Sequence, residues 1–253
     1  MAAQVLDGEA TAAAVKARLR DRVAALVDRG VTPGLGTILV GDDGPSARYV
    51  AMKHADAAEL GIHTVDLRLP TTATQADVEA AVDAMNADPA VDAFIIQYPL
   101  PDGLDFGAVM ARVRPEKDAD GMHPTNLGRL VMGEAAPLAC TPAGIVELLA
   151  HHGVELAGRH VVVVGRGLTI GRPLVNLLTL KTVPVPSALG GALVTNAAVT
   201  VVHTGVADLG RFTRDADVVI AAAGSPGMIT ADMIRPGATV VAAGVSFAAG
   251  KVV

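Results

Sequence analysis

His160-Val161-Val162-Val163-Val164-Gly165-Arg166-Gly167-Leu168-Thr169-Ile170-Gly171-Arg172-Pro173 decides the fold. A β-branched run breaks into a glycine-rich turn, and the turn opens a helix. Glycines let the chain bend sharply and bring its backbone close to a bound group. The helix N-terminus that follows offers unpaired N–H groups and the positive end of a dipole to a phosphate. Pro173 suits the first helical turn, where a missing N–H costs little. The stretch points to a dinucleotide-type site and to an enzyme that handles a nicotinamide cofactor. The spacing is Gly-x-Gly-x-x-x-Gly rather than Gly-x-Gly-x-x-Gly. By itself the turn therefore also fits a tight strand–helix junction with no ligand.

Working outward, strand patterns follow at 198–202, 217–222 and 238–242, with a Pro/Gly/Ala-rich surface insertion expected at 181–197. Upstream, Val15, Leu19, Val23 and Leu26 recur at helical spacing over 10–29, with Gly30 as the stop. A strand is expected over 35–40, a turn over 41–45, and a helix capped by Ser46 that runs to Leu60. A strand over 64–69 precedes Thr74 and Asp77, a capping box opening a helix through Met85. The next strand, 93–97, is closed by Pro99 and Pro101. Residues 102–139 read as irregular, and Thr141-Pro142 starts a helix through Ala150, with Gly153 as its stop. Strand–helix alternation predicts parallel sheets. The fold class is α/β, with two α/β domains and a cleft between them. An N-terminal catalytic domain is expected over 1–139, a Rossmann-like nucleotide-binding domain over 140–253, and a hinge near 125–140.

Composition narrows the function classes. The chain has 253 residues, enough for two modest domains. Hydrophobic residues make up 51 % but aromatics only 2 %, so small side chains suit close helix-on-sheet packing. A net charge of −6 without a long basic run argues against nucleic acid as a partner. The single cysteine, Cys140, excludes an intramolecular disulfide and a cysteine-cluster zinc site. No other cluster has metal-ligand spacing. No 18-residue uncharged apolar stretch occurs, so no membrane span is expected. The first residues lack the basic n-region of a secretory signal, and a cytoplasmic protein is expected.

Three groups outside the glycine turn carry candidate chemistry. Tyr49 and Lys53 are four apart on a predicted helix and project from one face. They suit a catalytic pair, or a solvated lysine beside a packed tyrosine. Gln97-Tyr98-Pro99-Leu100-Pro101 sits at the carboxyl end of a predicted strand, where open α/β sheets place ligand groups. Its prolines stiffen the loop, and Gln97 serves either a ligand or the loop's own backbone. Lys117-Asp118-Ala119-Asp120-Gly121 has no helical or strand period. Two carboxylates there suit a polar heterocycle with N–H donors, or an exposed charged turn.

These pieces occur together, and in order, in one family. Tyr49-Val50-x-x-Lys53, Gln97-x-Pro99-Leu100-Pro101, Lys117-Asp118-x-Asp120-Gly121 and Asn126-x-Gly128-Arg129 come first. Cys140-Thr141-Pro142-x-Gly144, the turn from Gly165-Arg166 to Gly171-x-Pro173, and Ala221-Ala222-Ala223-Gly224-x-Pro226-Gly227 follow. The chain resembles the bifunctional methylenetetrahydrofolate dehydrogenase/methenyltetrahydrofolate cyclohydrolase family over nearly all its length.

The resemblance implies two reactions. 5,10-Methylenetetrahydrofolate gives hydride to NADP, and the resulting 5,10-methenyl cation is hydrolysed to 10-formyltetrahydrofolate. Lys53 would be the catalytic amine and Gln97 its partner. Tyr49 would lie against the aminobenzoyl group, and Asp120 would bind the pterin, with Pro99 and Leu100 also at the substrate. Cofactor contacts would come from Gly165, Arg166, Gly167, Thr169, Ile170, Gly171, His203, Thr204 and Thr141, with Arg166 on the 2′-phosphate. A homodimer is also implied. Hydride loss spreads cation charge over two folate nitrogens and needs no proton transfer, whereas water addition does. An amine beside a ligand cation gives up its proton more readily. Lys53 should therefore matter more for hydrolysis than for hydride transfer.

The chain departs from the family at several positions. Gly167 stands where serine is usual, removing a phosphate-contacting hydroxyl. Thr169 replaces an apolar residue, and Ala242-Ala243-Gly244 replaces an Asp-Val-Gly stretch. The sequence given stops at Gly250-Lys251-Val252-Val253, where the family continues into a Pro-Gly-Gly-Val-Gly-Pro-like loop over the folate site. Without that loop, lower folate affinity and turnover are expected. Two other readings remain: a shikimate-dehydrogenase-like NADP oxidoreductase, and a non-catalytic folate- or nucleotide-binding relative.

Overall fold

The computed structural model describes residues 3–243 and the backbone of 247–248 and 251–252. The departures noted at Gly244 and in the side chains at the chain end lie outside the described residues. In chain order the elements are α1 (Gly8–Val27), β1 (Gly34–Val40), α2 (Gly44–Glu59), β2 (His63–Leu69), α3 (Gln75–Ala87) and β3 (Ala93–Ile96). There follow α4 (Phe106–Arg112), α5 (Pro124–Met132), α6 (Cys140–His151), β4 (His160–Val164), α7 (Gly171–Thr179) and β5 (Ala198–Val202). Then come α8 (Gly210–Thr213), β6 (Val218–Ala221), β7 (Thr239–Ala242), β8 (Phe247–Ala248) and β9 (Lys251–Val252). Packing divides the chain into two units. One runs from Ala12 to Gly128, and the other holds the described residues up to Thr11 and from Arg129 onward. Residues 129–139 therefore pack with the second unit.

The first unit is built on a parallel sheet of order β2-β1-β3. Central β1 is buried along almost its whole length, whereas edge strand β2 alternates half-buried and exposed positions along much of its length. That contrast is physical: a central parallel strand is covered on both faces and reads as a continuous apolar run. α3 buries Val78, Ala81, Val82 and Met85, and the Thr74–Asp77 capping box forms as its sequence predicts. α2 differs from expectation at its start. Asp43, not Ser46, is the cap: its carboxylate accepts from the Ser46 N–H at 2.9 Å, and Ser46 is buried. A carboxylate placed before Gly44-Pro45 reaches that N–H, so the helix starts three residues earlier.

Residues 102–139 are more regular than the sequence suggested. α4 is capped by Asp105, which accepts from the Ala108 N–H, and buries Val109 and Met110. α5 lies within the stretch expected as a hinge. The helices have only 7 and 9 residues, and the Pro and Gly around them read as loop, which is why they escaped the sequence pattern.

The second unit holds a parallel sheet of order β5-β4-β6-β7. Val161 to Val164 of β4 are fully buried. Val161 and Val163 pack with Leu149 of α6 and Leu174, Leu177 and Leu178 of α7. Val162, Val164 and Val219 face the opposite layer. Each fully buried leucine contributes about 1.5–3 kcal/mol. This holds α7 to the sheet although no side chain caps its N-terminus.

Residues 181–197 are not a surface insertion. Val183, Leu193 and Thr195 are buried, and the Val183 N–H donates to the Leu193 carbonyl at 2.8 Å. Buried Glu147 of α6 anchors the loop, accepting from Ser187 Oγ at 2.7 Å and the Ala188 N–H at 2.6 Å. Its Pro and Gly content indicated turns correctly but concealed this tie, which spans 40 residues of chain. Among the described residues, no helix is long and apolar enough to cross a membrane.

Candidate active site

In the first unit α2 and the end of β3 bring two of the expected residues together. Lys53 Nζ donates to Gln97 Oε1 at 2.9 Å. The other end of the amide is also committed, because Gln97 Nε2 donates to the Tyr98 carbonyl at 2.8 Å. The backbone N–H of Gln97 donates to the Ile38 carbonyl at 2.9 Å, which seats the residue at the edge of β1. An ammonium has donors only and a carbonyl is an acceptor only, so these contacts leave one orientation for the amide. The glutamine thus serves the loop, as one of its two sequence readings expects, and the lysine at once.

Tyr49, one helical turn before Lys53, is 41 % exposed, enough to present a ring face to a ligand. Pro99 follows a cis peptide bond and is exposed, while Leu100 is half-buried. The Tyr98 ring packs edge-on against Phe106 of α4, with centroids 5.0 Å apart, and so steadies this loop.

The two carboxylates of the 117–121 stretch separate into different environments. Asp118 is 2 % exposed and accepts from the N–H groups of Met122 and His123 and from Asn126 Nδ2, at 3.2, 2.8 and 2.9 Å. Lys117 donates to the carbonyls of Met85 and Asp88. Both side chains therefore build the loop rather than meet a ligand. Asp120 remains half-exposed on that scaffold.

In the second unit the glycine turn joins β4 to α7. Gly165 has φ +131°, and a Cβ there would lie 2.5 Å from the Ala222 carbonyl oxygen. A Cβ on Gly171 would lie 2.4 Å from the Gly165 carbonyl oxygen. Only glycine fits either position, and the gain is close approach of backbone to backbone. Gly167 differs, since a Cβ there would meet nothing within 4 Å. Arg166, Gly167 and Thr169 are exposed and Ile170 is half-buried. Among the described residues, no carboxylate pairs with Arg166.

Beyond β5, His203 Nδ1 accepts from the Gly205 N–H at 3.0 Å, and Thr204 is exposed. The nearest following carboxylate, Asp208, accepts from the Arg211 N–H at the start of α8 and pairs with Arg214. It is engaged by its own helix. Thr141 is exposed in the first turn of α6. These features suit a phosphorylated dinucleotide: a glycine cradle, a helix end without a side-chain cap and a free guanidinium.

A cavity of about 270 Å³ opens at the carboxyl ends of β6 and β7, lined by Ala223, Gly224, Pro226, Met228, Val240 and Ala242 among others. None of the expected site residues lines it. Its available signal was the Ala221–Gly227 glycine-proline run.

Comparison with known proteins adds three findings. The model of the tetrahydrofolate dehydrogenase/cyclohydrolase catalytic domain matches residues 6–120, and that of the family's NAD(P)-binding domain matches residues 139–253. The chain is 54 % identical over 251 residues to the bifunctional protein FolD of Syntrophotalea carbinolica, covering 99 % of this chain and 83 % of that protein. Among solved structures, the bifunctional FolD methylenetetrahydrofolate dehydrogenase/cyclohydrolase of Campylobacter jejuni is similar at TM-score 0.90 and 33 % identity, over 100 % of this chain and 85 % of that one. The Trypanosoma brucei enzyme, solved with NADP cofactor and inhibitor, is similar at TM-score 0.86 and 36 % identity, over 96 % and 80 %.

Proposed function

The chain belongs to the tetrahydrofolate dehydrogenase/cyclohydrolase family, and from that premise we propose which of its residues carry the two reactions. It is a bifunctional enzyme. It oxidises 5,10-methylenetetrahydrofolate to the 5,10-methenyl cation with NADP and hydrolyses that cation to 10-formyltetrahydrofolate. Family membership sets aside the shikimate-dehydrogenase-like and non-catalytic readings.

The observation that carries the assignment is the 2.9 Å contact from Lys53 Nζ to Gln97 Oε1. Gln97 holds the amine in place, and an amine so held can shuttle the protons of water addition and ring opening. Tyr49 supports the aminobenzoyl ring, Pro99 and Leu100 border the substrate, and Asp120 accepts from the pterin N–H groups. Gly167, Ile170 and Gly171 receive the cofactor's phosphates on backbone N–H groups, while Gly165, whose own N–H donates to the Val202 carbonyl at 2.8 Å, lets the turn pass close to the cofactor. Thr141, Thr169, His203 and Thr204 flank it, and Arg166 pairs with the 2′-phosphate. NADP, when bound, accepts the hydride. A homodimer and a cytoplasmic location complete the proposal. Sedimentation of the purified chain tests the first, and fractionation of cells tests the second.

Turnover with 5,10-methylenetetrahydrofolate and NADP is the deciding experiment. The wild type should form NADPH and 10-formyltetrahydrofolate. Lys53→Met should lower hydrolysis by about a hundredfold or more, the usual contribution of a positioned acid–base group, and keep measurable NADPH formation. Wild-type hydrolysis in the variant would remove Lys53 from its role.

A further inference from the structure

α2 turns Ser46, Val50 and Ala57 toward the first sheet, and all three are buried. Between Val50 and Ala57 that side of the helix also carries Lys53 and His54, both half-buried. A repeat of 3.6 residues places these four positions on one side. Apolar residues are the ordinary filling of such a stripe. Here two polar side chains fill it, and a different strand meets each one. Lys53 reaches Gln97 just past β3. His54 Nε2 lies 2.8 Å from Thr37 Oγ1, in the middle of β1. Thr37 is fully buried and stands in register with Asp66 of β2. Its hydroxyl lies 3.3 Å from Asp66 Oδ1, while Arg68 Nε holds the other carboxylate oxygen at 2.9 Å.

Donor counting sets the direction of this chain. A carboxylate accepts, so the Thr37 hydroxyl donates to Asp66 and accepts from His54, whose Nε2 carries the proton. The Asp66 contact is long and chiefly orients the hydroxyl, whereas the His54 contact is a full hydrogen bond. Breaking it would leave a buried hydroxyl short of a partner. Rolling α2 about its axis would break it.

We propose that the Asp66–Thr37–His54 chain is a positioning device: it fixes the rotation of α2 on the sheet and thereby aims the Lys53 amine at Gln97. The inference rests on the reading of Lys53 as the cyclohydrolase amine. Thr37, His54 and Asp66 act through the helix and touch no substrate. Misplacement of a catalytic group by about 1 Å costs on the order of a hundredfold in rate, so a small roll of α2 is enough to matter.

The test compares Thr37→Val, Thr37→Ser, His54→Leu and Lys53→Met in the full chain, reading kcat and KM for both activities, NADP affinity and Tm. Thr37→Val and His54→Leu should lower cyclohydrolase kcat by about tenfold, with KM and dehydrogenase kcat within about twofold of wild type. NADP affinity should be unchanged, and Thr37→Ser should restore hydrolysis. If Thr37→Val does not fold, His54→Leu carries the same test. Folded Thr37→Val and His54→Leu proteins with wild-type hydrolysis overturn the proposal. So does an equal loss in both activities, or a Thr37→Ser protein as impaired as Thr37→Val. Lys53→Met separates the two readings. Wild-type hydrolysis in that variant sinks the lysine assignment, whereas lost hydrolysis there with intact Thr37→Val and His54→Leu proteins sinks only the positioning role.

Discussion

At the scale of single residues, the glycine turn separates positions that must be glycine from one that need not be. Gly165 and Gly171 are closed to any side chain by carbonyl oxygens at 2.5 and 2.4 Å, whereas Gly167 faces open space and does not have positive φ. A serine at 167 therefore fits without strain and returns a hydroxyl to the cofactor site. Gly167→Ser should tighten NADP by about fivefold, the worth of one neutral hydrogen bond of about 1 kcal/mol. Arg166→Ala should weaken NADP by about ten- to a hundredfold and leave NAD nearly unchanged, since a charge-assisted contact contributes about 1.5–3 kcal/mol. Titration with both cofactors checks the pair. An Arg166→Ala protein with wild-type NADP affinity would remove the guanidinium from the 2′-phosphate.

Among the elements, helix starts show where local chemistry decides. In the α3 capping box Asp77 accepts from the Thr74 hydroxyl at 2.7 Å and from its N–H at 2.8 Å. The hydroxyl first, then the N–H, holds the Asp77 carboxyl below its ordinary value of 3.8. A depressed folded-state value means that this stabilisation is present above pH 3.8 and fades as pH falls through the lower, folded-state value. Thr74→Ala should cost about 1 kcal/mol at neutral pH. The difference between wild type and Asp77→Asn in urea midpoint should hold from pH 7 down to the ordinary carboxylate range and shrink below it. A gap that widens on acidification would contradict the sign.

Over the whole molecule, the proposed folate residues and the proposed cofactor residues belong to different packing units. Asp120 falls in the 12–128 unit, and Arg166 with the glycine turn falls in the other. Each unit has its own parallel sheet and core, so damage to one ligand site need not reach the other. Asp120→Ala should weaken folate by about ten- to a hundredfold, the size of charge-assisted hydrogen bonds, and leave NADP affinity at the wild-type value. Calorimetry with each ligand decides it. Unchanged folate affinity would return Asp120 to a charged turn, and a parallel loss of NADP affinity would show that the units do not bind independently.

Period and punctuation alone were enough to determine the parallel strands, the glycine turn and the Thr74–Asp77 box. These depend on neighbours within a few residues, where alternation, caps and turns act. The tertiary structure alone decided which of two nearby carboxylates is structural. Asp118 is consumed by partners four, five and eight residues on, and no local rule distinguishes it from Asp120. It also decided that Glu147 ties down residues 187 and 188, and that Thr37, His54 and Asp66 form one chain across two strands and a helix. The physical reason is common to all three. A buried polar group must be paired, and its partner is set by which elements stack together, a distance in space that the order of residues does not express.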